Sequence, residues 1–253
     1  MSGGGAHDEL TYGSYLQLDA LLALQQPRSQ PEHPDELLFI VVHQASELWF
    51  KVILHELARL VERLEQRDAA GALFVLRRVN SLVQVVTAQL AALDTLPPQR
   101  FAEFRGLLGS SSGSQSVQFR AIEAASGLRD PVFLQAVRES APVDPVVQRW
   151  LERATVQELF VRLLDEQGVS LDALFAAREP SVLTMLGDEL LAYEQGFGRW
   201  RFLHTQLVER ILGPSTPGTG GTQGASFLAR TVSQRFFPRL WEARSRVFGA
   251  GAP

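Results

Sequence analysis

Residues 35–57, DELLFIVVHQASELWFKVILHEL, decide the fold. Apolar residues recur there at helical spacing and no Gly or Pro interrupts. Asp35 and Glu36 sit where a helix start favours negative charge, so the stretch predicts one long helix running on to about Gln66. A step of four residues turns a helix by about 400°, so Phe39, Glu47 and Phe50 each lie within roughly 40° of His43 on one face. His43 is therefore an imidazole set among aromatic rings. Alone, such a histidine is more often a hydrogen-bonded core residue than a reactive one, and a functional reading needs a second group to face it.

Composition limits what that group can be. The chain has 253 residues, 45% of them hydrophobic and 21% charged, enough for one substantial core in a single domain spanning 1–253. With no cysteine, disulfides, thiolate catalysis, cysteine-bound zinc and iron–sulfur clusters are excluded, leaving histidine and carboxylate as metal ligands. A net charge of −4 argues against nucleic-acid and anionic-membrane partners and favours a small molecule. The first ten residues, MSGGGAHDEL, lack a basic stretch followed by an apolar one, and no uninterrupted run of about 18 apolar residues occurs, so a soluble, cytoplasmic protein is expected.

Outward from the central helix, the elements read as an all-α bundle. Residues 1–9 predict a disordered lead-in. Leu10 to Gln26 predicts an N-terminal arm with an amphipathic helix starting near Leu16, and its two tyrosines, Tyr12 and Tyr15, suit an anchor on the core, on a neighbouring subunit or in a pocket. PRSQPEHPD, 27–35, is a proline-marked loop. A second helix over 70–94, with the stripe Leu73, Leu76, Val79, Val83, Val86 and Leu90, should pack antiparallel to the first. Pro97 and Pro98 end it, FAEFRGLL is helical, 109–116 is a Gly- and Ser-rich loop, and SVQFRAIEAA restarts a helix. That loop suits either a linker or a hydrogen-bonding surface for a carboxylate, with the fork of Arg105 one turn before it. Residues 127–180 read as a variable helical insert.

A further long helix over 181–212 puts Phe197, Trp200, His204, Leu207 and Ile211 on one stripe. His204 is thus the second histidine on an aromatic-rich helix face, and two facing helices with one imidazole each can hold a flat cofactor between them. His7 lies in the tail, His33 in the proline loop, and His55 is turned about 120° from His43. No histidine has Glu three residues before it, which rules out the Glu-x-x-His pattern of helical di-iron sites. PSTPGTGGTQGASFL, 214–228, carries Gly218, Gly220, Gly221 and Gly224 with Thr219 and Thr222; it follows no strand and lacks a Lys-Ser/Thr ending, so it reads as a Gly-rich lid rather than a phosphate loop. SFLARTVSQRFFPRLWEARSRV then predicts a last helix closing the bundle.

Five blocks, LTYGSYLQLDALLALQQ, HPDELLFIVVHQASELWFKVILHEL, FRGLLGSSSGSQSVQFR, WRFLHTQLVERILG and PGTGGTQGASFL, taken in this order, closely resemble the tryptophan 2,3-dioxygenase family. They cover roughly a third of the chain. The resemblance implies a helical bundle that holds haem b between its long helices. It also implies a homotetramer, a dimer of dimers, that adds both atoms of dioxygen to the indole ring of L-tryptophan and gives N-formylkynurenine. By its motifs, His204 in WRFLH matches the axial ligand of the haem iron, and His43 in FIVVHQ the distal histidine that hydrogen-bonds the indole nitrogen. Phe39 would pack on the indole, and Phe101, also counted among the substrate-binding residues, falls where some members have tyrosine and others phenylalanine. Arg105 would grip the substrate carboxylate, and Thr219 in GTGG its ammonium and carboxylate. Tyr12, Tyr15 and Leu16 match an arm that reaches the neighbouring subunit's site, while Ser112 and Gly113 lie where the family's loop borders haem and substrate.

Two departures accompany the match. Leu203 stands where family members commonly carry arginine, and the linker Gly213-Pro214-Ser215-Thr216-Pro217 before GTGG is uncharged. A related branch places one oxygen atom on a methylated tryptophan, which makes a haem-dependent monooxygenase the second reading. A haem sensor without turnover is the third, although it would not need Arg105 or Thr219.

Overall fold

A computed structural model describes residues 10–139, 143–216 and 224–249. The expected lead-in over 1–9, Thr219 and the centre of the glycine-rich segment lie outside them. Every regular element among the described residues is helical, and three helices form the frame: α3 (Glu36–Glu65), α4 (Ala69–Ala88) and α12 (Val182–Leu212). Two short helices precede them, α1 (Tyr12–Leu16) and α2 (Leu18–Leu22). Between α4 and α12 come α5 (Leu90–Leu93), α6 (Pro98–Arg105), α7 (Val117–Ser126), α8 (Pro131–Glu139), α9 (Pro145–Glu152), α10 (Val156–Glu166) and α11 (Leu171–Ala176); α13 (Ala225–Thr231) and α14 (Pro238–Gly249) follow α12.

The α3–α4 turn reverses the chain through Arg67, at φ 60°, with the Asp68 side chain accepting from the Gly71 amide. The antiparallel pairing is fixed along its length, as Arg78 meets Glu56 and the Gln89 amide donates to Ser46 Oγ at 2.5 Å. α12 runs parallel to α4, since Asn80 bonds Glu189 and the Gly196 Cα lies against Val83. Ile53, Leu57, Leu60 and Val61 of α3, Val75, Leu76 and Val79 of α4, and Leu186, Leu190 and Leu191 of α12 share one core with Phe160 and Leu164 of α10. Each such side chain contributes about 1.5–3 kcal/mol by leaving water. The segment read from sequence as an insert thus supplies part of that core.

Three expected helices are broken, each for a local reason. The arm divides at Gln17, which is left-handed at φ 53°, so it forms α1 and α2 with no buried residue. The helix expected over 70–94 ends at Ala88, and α5 takes over after Gln89. The last helix divides into α13 and α14 because Pro238 has no amide hydrogen and disfavours helix before it. The freed amides of Phe236 and Phe237 donate instead to the buried Glu194 carboxylate of α12, at 2.6 and 2.7 Å, alongside Trp241 and Arg235. Glu194 therefore clamps the C-terminal segment to α12.

α3 and α4–α5 are long and apolar enough by composition to span a membrane, yet α4 buries its stripe in the core. The first half of α3 differs. Leu37, Val41 and Leu48 stand about half exposed there.

Candidate active site

α3 and α12 both pack along α4 but hardly touch each other's backbone; aromatic side chains bridge them. Phe50 of α3 meets Trp200 of α12 at 6.3 Å between ring centroids, and Phe119 of α7 lies 4.9 Å from Trp200. His43 stands two turns beyond Phe50 toward the start of α3, and His204 one turn beyond Trp200 toward the end of α12. Both histidines thus project past the same aromatic floor, and they are near enough to sense each other's charge. The two rings selected from sequence are brought together.

His43 Nδ1 lies 2.7 Å from the Phe39 carbonyl oxygen. A carbonyl only accepts, so the proton sits on Nδ1 and Nε2 presents a lone pair. The His43 ring is exposed at the surface of the described chain, yet the protein packed around it still lowers its pKa, an effect that the Phe39 bond and the charge of Glu47 only partly oppose. His204 is pushed down to about 4, chiefly by burial and further by His43. Both are neutral at pH 7. Glu47 is itself held, through its carboxylate and its backbone carbonyl, by the Gln118 amide at 2.8 Å, which ties α7 to α3 at this level.

The apolar wall comes from α6. Phe39 stacks on His43 at 4.2 Å and meets Phe101 at 5.5 Å and Phe104 at 5.8 Å. Pro97 and Pro98 start α6, and its Phe101 and Phe104 are buried. Arg105 closes the same helix directly after Phe104 and is half-buried. A polar fastening below holds this end: Arg100 pairs with Asp35, His33 with Glu103, and Glu36 accepts from Ser29 and from the Arg28 amide.

Other expected residues are placed differently. Ser112 caps a short turn over Gly113–Gln115, accepting from the Ser114 amide, and the hydrogen bonds of this pair stay within the loop. Tyr12 and Tyr15 are 77% and 70% exposed and Leu16 is exposed as well, so the arm does not join the site of its own chain. Phe104 and Gln118 are site neighbours that the sequence reading missed. Phe104 was discoverable from its spacing of three from Phe101, whereas nothing in the sequence pairs Gln118 with Glu47.

The donor set suits a haem. His43 and His204 stand on helices whose backbones hardly touch, the rings beside them are apolar, and His204 makes no hydrogen bond among the described residues, which leaves its ring nitrogens uncommitted. No cluster of three histidine or acidic side chains able to hold a bare metal ion occurs among the described residues.

Comparison with known proteins agrees with this chemistry. The family model for tryptophan 2,3-dioxygenase matches residues 3–157 and 162–247. A relative named tryptophan 2,3-dioxygenase from Saccharopolyspora erythraea is 39% identical over 94% of this chain and 93% of its own length. Namesakes from Herpetosiphon aurantiacus and Anaeromyxobacter sp. (strain K) are also 39% identical, over 93% and 98% of this chain and 98% and 100% of their own.

Proposed function

The chain belongs to the tryptophan 2,3-dioxygenase family, and we propose that it adds both atoms of dioxygen across the C2–C3 bond of the indole ring of L-tryptophan, opening the ring to N-formylkynurenine. The observation that supports this reading is the placement of His43 and His204 on two helices bridged by one aromatic floor of Phe50, Phe119 and Trp200. Substrate and dioxygen together supply every atom of the product, so no outside reductant is required.

His204 would hold the iron of haem b, and ferrous haem, when bound, supplies the activation of dioxygen. The chain's own residues orient the substrate. His43 Nε2, its lone pair fixed outward by the Phe39 bond, accepts the indole N–H. Phe39 and Phe101 pack on the indole and exclude water, Arg105 forks onto the carboxylate, and Thr219 takes the ammonium and carboxylate. Ser112 and Gly113 border the pocket. Uncharged His43 can accept a hydrogen bond, but its lowered pKa makes it a weak base, so it orients the indole more than it deprotonates it.

The exposed Tyr12, Tyr15 and Leu16 and the uncovered start of α3 support a tetramer in which the arm completes a neighbour's site. The same face, covered by a partner copy, also supports a soluble, single-domain protein rather than a membrane span.

Mass spectrometry of products from the haem-loaded protein, given L-tryptophan under isotope-labelled dioxygen, tests the reading. Two labelled atoms in a ring-opened product are expected. One labelled atom in a ring-intact product would overturn it in favour of a monooxygenase. Arg105→Ala should weaken L-tryptophan binding by about tenfold or more, as loss of a bidentate charged pair does; unchanged affinity would point to a sensor.

A further inference from the structure

Trp200 has a surrounding unlike that of any other aromatic residue in the bundle. Its indole lies against His204, with ring centroids 5.0 Å apart and planes inclined by 23°, and against Phe119, at 4.9 Å and 36°. It packs against both the main core and the smaller cluster of Val42, Leu90, Leu93 and Leu207. Its Nε1 is buried and has no hydrogen-bond partner among the described residues. An indole nitrogen only donates, and buried donors in folded proteins are almost always satisfied.

We propose that Trp200 is a positioning residue for the iron ligand: its ring face sets the plane of the His204 imidazole, and its N–H is held for an acceptor that arrives with the bound haem. The inference rests on the reading of His204 as that ligand. The floor is rigid enough for the task, because Phe119 and Phe50 hold Trp200 from α7 and α3. His204, lacking a hydrogen bond of its own, has no other described device to fix its rotation. In most histidine-ligated metal sites a hydrogen bond from the second ring nitrogen does this. The competing account of the N–H is a weak contact with the face of Phe50, whose ring stands nearly perpendicular to the indole at 77°.

Full-length apoprotein of the wild type, Trp200→Phe, Trp200→Leu and His204→Ala is titrated with haemin, and the ferrous proteins are read for the iron–histidine stretching band by resonance Raman. Circular dichroism checks the fold. If the wild type binds haemin no better than His204→Ala, the ligand reading fails, and this inference with it. If His204 is required, Trp200→Phe separates the two roles, keeping a flat ring and losing only the N–H. Its band should stay in place while haemin affinity falls roughly tenfold, the size expected of one buried hydrogen bond. Trp200→Leu should also shift or broaden the band. Wild-type affinity in the Phe variant would assign the N–H to Phe50 and overturn the acceptor, and an unmoved band in the Leu variant would overturn the positioning role. If the Leu variant does not fold, the Phe affinity decides.

Discussion

Along α3, Ile53, Leu57, Leu60 and Val61 are wholly buried, whereas Leu37, Val41 and Leu48, of the same residue types and on the same helix, are 50%, 43% and 51% exposed. α12 repeats the contrast. Leu186, Leu190 and Tyr193 are sealed in the core, while Phe202 and Leu203 face outward, His204 is half-buried and the Trp200 N–H lacks a partner. One end of the bundle is complete within the described chain. The other is equally apolar and depends on partners for its cover, in our reading a prosthetic group, a substrate and a neighbouring arm. A helix surface can therefore be hydrophobic for two reasons, and burial separates them where residue type does not.

Substitutions at the two ends should fail in different ways. The largest effect is expected from His204→Ala, which should abolish the Soret absorbance of bound haem while apoprotein melting stays near wild type. His43→Ala should keep the haem and lose only part of the rate; a haem-free His43→Ala protein would break the division of roles. At the sealed end, Leu57→Ala should cost about 2–5 kcal/mol in denaturant titration through lost burial and a cavity. The haemin affinity of its folded fraction should be unchanged. Weaker haemin binding there would show that the two ends are coupled.

The sealed end was almost wholly legible in the sequence. A period of 3.6 with no internal proline fixed α3 and α12 to within a residue of their ends. Breaks were less so. Pro238 signalled one plainly, but Gln17 became left-handed without a glycine, and nothing local separates α4 from α5 at Gln89. At the open end His43, His204, Phe39 and Phe101 came from periodicity and resemblance, because each lies on a helix face that repeats. Phe104 against His33, Gln118 on Glu47 and the unsatisfied Trp200 N–H depend on which helices meet. That is settled by tertiary packing over separations of tens of residues, beyond the reach of local pattern.

The smallest effect expected concerns the polar fastening at the start of α3, at the open end. Glu36 is 1% exposed, and burial alone would raise its pKa. Hydrogen bonds from the Ser29 hydroxyl and the Arg28 and Ser29 amides outweigh that, holding the carboxyl below its ordinary value of 4.5. A carboxyl depressed in the folded state binds its proton more weakly there than in the unfolded chain. Its stabilisation is thus complete above about pH 4.5 and is lost as pH falls through the folded value. Acidification below that point should loosen residues 28–36 before the sealed end, seen as faster hydrogen exchange at the Arg28 and Ser29 amides while those of 57–64 stay protected. Glu36→Gln should remove the acid dependence and exchange faster already at neutral pH. If both ends open together in acid, the bundle is a single cooperative unit, and the contrast between its ends is one of composition and not of stability.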